Sequence, residues 1–513
     1  LPATARTARR PVTAREPMDI AVQALFTLLE PTRLLFLLGG VLMGLTIGLL
    51  PGLSGIVGMA ILLPFTYALD PATGLAMLIG VAAVSNTSDT FPSVLMGIPG
   101  SSGSQATVMD GYPLAQQGQA ARALSAAFIA SMVGGVIGAI VLSLIVPFAR
   151  PIILTFGSPE LLMLTIFGLS MVGVLSGNRP LLGLLAAVFG LLLGTVGAAP
   201  VAAAYRYDFG LLYLFDGFPL VVVALGLFAL PEIIDLLVRG GAIAKENRGE
   251  DLGSGWLQGV RDAITHRWLI LRHSLIGVFV GFIPGLGSAI VDWINYGLVV
   301  QLSRDREKFG KGDIRGVIAP ESANNAKEGG ALIPTVLFGI PGSAGMAIIL
   351  GALIIQGIQP GPALVQRHLD LLWIIIWSLA LANILGTGIS LLLSRPIAQL
   401  TRVRFSLLVP FIVVMVVLAA YQETRSWGDL IALLAFGLLG WFMKRHRMPR
   451  PPLLIGFILS TLVERYWFIS TMRYGMSWLT HPTVIVIIVI TIIFMVLGIV
   501  RSARARKLGV PHG

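Results

Sequence analysis

From Ala123 to Val146, and again from Leu371 to Ser394, the chain runs twenty-four residues without a charged side chain. About 20 apolar residues in helical form cross the roughly 30 Å hydrocarbon layer of a bilayer, so both runs predict membrane spans. Further runs predict more spans at Leu161–Ser176, Leu181–Ala199, Ser274–Gln301, Phe405–Gln422 and Thr483–Val500. Leu430–Met443 and Pro451–Val463 are short enough to be short spans or interfacial segments. The fold class expected is an all-α polytopic membrane protein with about 12 transmembrane helices.

Composition removes most other classes. Charged residues make up 12% of the 513 positions and mean hydropathy is +0.87, against about 25% charged in soluble domains. The chain has no cysteine and six histidines without ligand spacing, which excludes thiolate chemistry and predicts no transition-metal site. The net charge of +11 is no sign of nucleic-acid binding, because the basic residues sit in short loops and tails between apolar runs. That is how orientation is encoded in a membrane. Clusters at Arg395/Arg402/Arg404, Lys444/Arg445/Arg447/Arg450 and Arg501/Arg504/Arg506/Lys507 are two crossings apart. They predict cytoplasmic loops, and the basic residues before Met18 place both termini on that side. The first apolar run follows about thirty polar or mixed residues, so no cleavable signal is expected, and the segment before Met18 is expected to lie outside the fold.

An internal repeat then fixes the architecture. Gly48-Leu-Leu-Pro51-Gly52-Leu-Ser54 recurs as Gly281-Phe-Ile-Pro284-Gly285-Leu-Gly287, and Val94-Leu-Met-Gly-Ile-Pro99-Gly100-Ser101 recurs as Val336-Leu-Phe-Gly-Ile-Pro341-Gly342-Ser343, in the same order. The duplicated unit covers roughly residues 34–145 and 272–400. The wider division is a polar basic segment (1–33), a first transmembrane repeat (34–238), a polar connecting loop (239–273), a second repeat core (274–404), C-terminal transmembrane helices (405–500) and a basic tail (501–513). The basic loop Arg304–Arg315 reads as cytoplasmic, which makes the two repeats inverted. Six basic and four acidic residues in Arg239–Arg272 argue the other way.

Proline removes a backbone donor and glycine opens conformations closed to other residues. Together inside an apolar segment they predict an interrupted helix, tolerated at membrane depth only where backbone is buried in protein or lines a wet cavity. The Gly-Ser after each Gly-Ile-Pro turn leaves N–H groups and a hydroxyl at the start of the next half-helix, a carboxylate site that needs no arginine. Paired interruptions in two halves point to a transporter's binding site. Ser85, Asn86, Thr87, Gly100, Ser101, Asn324, Asn325, Gly342 and Ser343 are therefore the candidate substrate residues. Pro51, Gly52, Ser54, Ser88, Pro284, Gly285, Gly287 and Asn325 are the candidates around a coupling cation, with sodium suited to hydroxyl, amide and carbonyl oxygens. Asp89, Asp292, Glu321, Lys327 and Glu328 are candidates for coupling or for salt bridges. Asp292 within an apolar run is either functional or paired with a neighbouring helix. Asp110 reads as a loop or cap residue, and Glu423, Arg425 and Asp429 as a solvated turn.

These motifs, with Asp110-Gly-Tyr-Pro-Leu114, Ala319-Pro-Glu321, Gly329-Gly-Ala-Leu-Ile-Pro334 and Gly357-Ile-Gln-Pro-Gly-Pro362, resemble the large membrane subunit of the tripartite tricarboxylate transporters. The resemblance extends over nearly the whole chain from Met18. It implies a bacterial inner-membrane permease working with a small four-helix membrane subunit and a periplasmic substrate-binding protein. It also implies uptake of a small organic anion driven by an ion gradient, with sodium as the coupling ion and no other cofactor. The Ser85-Asn86-Thr87 triplet is also similar to hairpin tips of sodium-coupled dicarboxylate transporters that use an elevator motion. Two other classes stay open at this point. A stand-alone sodium- or proton-coupled anion symporter or exchanger would transport without partners. A membrane enzyme would need a Walker A loop, a His-Glu-x-x-His pair or an acidic metal cluster, and the chain has none.

Overall fold

The computed structural model describes residues 16–50, 53–175, 179–202, 204–239, 255–400 and 405–507. Those residues are mostly helical, with one antiparallel pair of two-residue strands in which Gly197 pairs with Arg206. The first half runs through α1 (Glu16–Leu28), α2 (Pro31–Gly48), α3 (Gly55–Leu62), α4 (Pro71–Ser88), α5 (Thr90–Met96), α6 (Thr107–Gln116) and α7 (Ala120–Ile153). After α8 (Ser158–Leu175) and α9 (Pro180–Leu193), α10 (Leu220–Ala224) passes through a π turn into α11 (Leu230–Arg239). The second half has α12 (Trp256–Thr265), α13 (Arg267–Phe282), α14 (Gly287–Leu302), α15 (Arg315–Phe338), α16 (Ala344–Ile355), α17 (Pro362–Arg367) and α18 (Leu369–Leu392). The chain then continues through α19 (Ser394–Leu400), α20 (Phe405–Thr424), α21 (Trp427–Arg445), α22 (Pro451–Tyr474) and α23 (Pro482–Lys507).

Five helices, α2, α7, α18, α21 and α22, are each long and apolar enough to cross a membrane, and shorter apolar helices accompany them. The protein is a multi-pass membrane protein. Several expected spans change in detail. Ser274–Gln301 is divided between α13 and α14, sixteen residues each, separated at Ile283–Leu286. At 1.5 Å per residue they total about 48 Å, more than one straight crossing needs. Pro451–Val463, expected to be short, extends to Tyr474. Residues 256–265 and the first turns of α13, 267–273, are helical where a polar connecting loop was expected. Gly259 lies against α7, and Arg122 of α7 forms an ion pair with Asp262 at 2.5 Å.

The centre is built on α4 and α15. Nearly every residue of α15 from Gly316 to Leu337 is buried, charged ones included, and in α4 the run Ala72–Ser88 is buried apart from Asn86. Such burial needs close backbone approach, which small residues supply. Gly44 of α2 faces Val81 of α4, where a Cβ would stand 2.9 Å from the carbonyl oxygen, and Gly277 of α13 abuts the backbone of Ala323 of α15 in the same way. Gly134 and Gly138 of α7 abut Ser322 and Ala326 of α15, while Gly386 of α18 abuts Val84 of α4. Each long helix that ends one half therefore packs on the central helix of the other.

Candidate functional site

The two Gly-Ile-Pro-Gly-Ser turns share one geometry. Gly97 ends α5 at φ 67° and ψ 20°, and Gly339 ends α15 at φ 72° and ψ 24°. Both lie in the left-handed region, where a side chain is strained. The Ile98 N–H donates to the Pro92 carbonyl at 3.4 Å and the Ile340 N–H to the Pro334 carbonyl at 3.0 Å. Gly100 N–H donates to Ser93 Oγ and Gly342 N–H to Thr335 Oγ1, each at 3.3 Å. Those hydroxyls in turn donate to the carbonyls of Asp89 and Ala331. Every pair differs by 242 residues (339 − 97, 342 − 100, 335 − 93, 331 − 89). Each turn then closes on a serine N-cap, Ser101 accepting from Gly103 N–H and Ser343 from Met346 N–H.

Both turns open on one cavity of about 380 Å³, within the range of small-molecule sites. It is lined by Leu53–Ile56 at the start of α3, Ser85 and Asn86 near the end of α4, Ser101 and Ser102, Gly285 and Leu286 at the second interruption, Glu328, and Gly342–Gly345 at the start of α16. Val172 and Pro451 also line it. Of the residues expected at the site, Ser54, Ser85, Asn86, Ser101, Gly285, Glu328, Gly342 and Ser343 meet here. The first N–H groups of a helix have no intrahelical acceptor, and the first turns of α3 and α16 form part of this wall. Ser54, the N-cap residue of α3, makes no capping bond with its side chain. A backbone bond from Gly285 N–H to the Gly342 carbonyl, 3.3 Å, ties the second interruption to the second turn.

Charge in the cavity comes from Glu328, which accepts from Asn86 Nδ2 at 2.8 Å and forms an ion pair with Lys327. Asn86 and Glu328 are also 242 residues apart. The structure makes Lys327 and Glu328 a salt bridge beside the cavity.

The other expected residues lie elsewhere. Asn325 is buried behind the cavity, donating to Thr87 Oγ1 at 2.8 Å and Asn383 Oδ1 at 2.8 Å, so neither it nor Thr87 lines the cavity. Ser88 bonds the Gly44 carbonyl at 3.3 Å and serves the packing of α4 on α2. Asn324 is fully buried, with both amide atoms unpartnered. Gly100 packs on Asp89, Pro284 is buried in the interruption, and Gly287 begins α14. Pro51 and Gly52 lie outside the described residues. Glu321 accepts three hydroxyls, from Thr107 at 2.8 Å and from Thr90 and Ser131 at 3.0 Å each. Asp89 accepts from Ser101 Oγ. Asp292 accepts from Ala106 N–H at 2.5 Å, a loop amide and not a basic partner. Asp110 is not a simple cap. It is buried and holds Gly312 N–H, Asp313 N–H and Tyr296 OH at 2.9–3.0 Å, pinning α6 to the loop before α15. Asp429 is likewise buried, accepting from Tyr213 OH at 3.0 Å and Thr424 Oγ1 at 2.7 Å.

Sequence reasoning passed over Asn383, Ser93 and Thr335. Asn383 carried a signal, as the one amide inside the apolar run Leu371–Ser394.

The sequence pattern of the tripartite tricarboxylate transporter TctA family matches residues 34–455. An uncharacterised 52.8 kDa protein from the TAR-I ttuC' 3' region of Agrobacterium vitis is 31% identical over 489 residues, covering 94% of this chain and 96% of that protein. A second protein of that organism, from the TAR-II ttuC' 3' region, is 31% identical over 234 residues, 45% of this chain and 97% of its own length. No solved structure matches. The motifs, the many apolar helices and a match across most of the chain agree: it belongs to the tripartite tricarboxylate transporter TctA family, the large subunits of these transporters.

Proposed function

We propose that the chain is the permease of a binding-protein-dependent secondary transporter that imports a tricarboxylate, a dicarboxylate or a related organic carboxylate. The observation that carries this reading is the cavity where both Gly-Ile-Pro-Gly-Ser turns and the first turns of α3 and α16 converge. Backbone N–H groups and the serine hydroxyls of residues 54, 101, 102 and 343 offer donors to carboxylate oxygens, at helix ends that favour negative charge. The ion pair of Lys327 with Glu328 leaves the wall close to neutral, so an anion is not repelled.

In this reading the matched bonds at a spacing of 242 residues reflect two inverted repeats, and an elevator motion carries the cavity across the inner membrane, with both termini cytoplasmic. The partners are a small four-helix membrane subunit and a periplasmic protein that delivers the substrate. Sodium is the coupling ion, held by oxygens near the two interruptions, around Ser54 and Gly285.

The test is uptake in proteoliposomes holding the chain and its small membrane partner, with labelled citrate and dicarboxylates as probes. Accumulation driven by an inward sodium gradient and dependent on an added binding protein is the expected result. Equal transport by this chain alone would select the stand-alone symporter or exchanger instead.

A further inference from the structure

The segment Gly100–Ala106 crosses the interior between α5 and α6 and is gripped from three sides. Ser101 Oγ donates to Asp89, and Ala106 N–H donates to Asp292 Oδ2 at 2.5 Å. Gly103 lies on the amide of Asn324, where a Cβ would stand 2.6 Å from Oδ1. Asp89, Asp292 and Asn324 are all fully buried. Each leaves polar atoms without a partner: Asp89 Oδ1, Asp292 Oδ1, and both Oδ1 and Nδ2 of Asn324. Glu321, one helical turn before Asn324, is different, because three hydroxyls fill its carboxylate.

The charged groups facing this region are Asp89 after α4, Asp292 on α14, and Glu321 and Lys327 on α15. The Lys327 ammonium is engaged by Glu328. Three acids thus stand together without a basic partner of their own among the described residues. A buried carboxylate in that position is costly, and the usual relief is to take up a cation. A proton fits these atoms. It turns a bare carboxylate oxygen into a donor, and Asn324, packed on Gly103 of the same segment, adds a further bare acceptor and bare donor. Among the described residues no three acidic or histidine side chains stand close enough to hold a metal ion together.

We propose that Asp89 and Asp292, both bonded to the Gly100–Ala106 segment, form an exchangeable proton site that couples to transport through Ser101. Ser101 lines the cavity and also donates to Asp89. A substrate carboxylate that recruits the Ser101 hydroxyl removes a donor from Asp89 and favours its protonated form. Anion and proton are then taken up together. The coupling step rests on the carboxylate-transport reading, whereas the proton site itself does not.

Two measurements separate them. In an infrared pH titration of the purified chain, a protonated-carboxyl band present near neutral pH should weaken in Asp89→Asn and in Asp292→Asn. A band unchanged in both variants overturns the site. In proteoliposomes with the partner subunit and binding protein, at equal sodium on both sides, acid outside should drive citrate accumulation. Asp89→Asn should lower that accumulation by about tenfold, the scale of a typical coupling energy, while citrate exchange at zero gradient continues and shows that the variant is folded. Accumulation by Asp89→Asn equal to the parent protein overturns the coupling. If Asp89→Asn fails to exchange, Asp292→Asn is read by the same two criteria. Absence of any citrate or dicarboxylate transport by the parent protein sinks the transport reading and leaves the infrared result to decide the proton site.

Discussion

Lys327 and Glu328 are sequence neighbours that pair inside the protein, with Asn86 bonded to the same carboxylate. Adjacent residues on a helix do not normally face each other. Here the shared carboxylate is that of Glu328, which lines the cavity and also holds Asn86 near the end of α4. A buried pair stabilises little in itself, but removing one partner strands a charge and costs about 3–5 kcal/mol. Lys327→Met should therefore lower the melting temperature of the detergent-solubilised protein markedly, and Lys327→Met with Glu328→Gln should recover most of the loss. Equal melting of the single variant and the parent would mean that water solvates the pair. Glu328→Gln alone should keep the bond from Asn86 but leave the Lys327 charge unpaired beside the cavity, so it should lower the melting temperature as Lys327→Met does and also change the KM for citrate.

At the scale of elements, the seams of α2 on α4 and of α13 on α15 rest on glycines with no room for a methyl group. Gly277→Ala forces a Cβ into the Ala323 carbonyl, an overpacking cost of about 1–3 kcal/mol. Gly39→Ala and Gly297→Ala meet nothing within 4 Å and should gain about 0.5–1 kcal/mol from helix propensity. Thermal unfolding of the three variants checks the contrast, and equal behaviour would refute the seam. The helix interruptions were legible in the sequence because proline and glycine act on their own backbone. Which side chains reach the cavity was not. Asn325 was expected at the tip, but α15 runs unbroken past Pro320 to Phe338, whereas the first half breaks at Asp89. In the structure Glu328, three residues on, stands opposite Asn86, and Asn325 bonds Thr87 and Asn383. Only the packing of α4, α15 and α18 decides such a placement. The acids around Gly100–Ala106 were legible as unusual residues, but not as neighbours, because α14, α15 and the α4–α5 turn are far apart in sequence.

For the whole molecule, the consequence of this packing is that two turns 242 residues apart face one space. Ser102 and Ser343 belong to opposite halves yet line the same cavity, so in the proposed reading one bound anion shields both. The chain has no cysteine, which lets single thiols be placed without removing any. Ser102→Cys and Ser343→Cys should each react with a small charged thiol reagent, and citrate or another transported carboxylate should slow both reactions in parallel. Ser378→Cys, fully buried in α18, should stay unreactive under the same conditions. Protection of one cavity position without the other would split the cavity into separate sites and remove the basis for a shared carboxylate pocket. Parallel protection that also changes with the direction of the ion gradient would tie both halves to one moving unit, because a cavity built from both turns is carried across only if they move together.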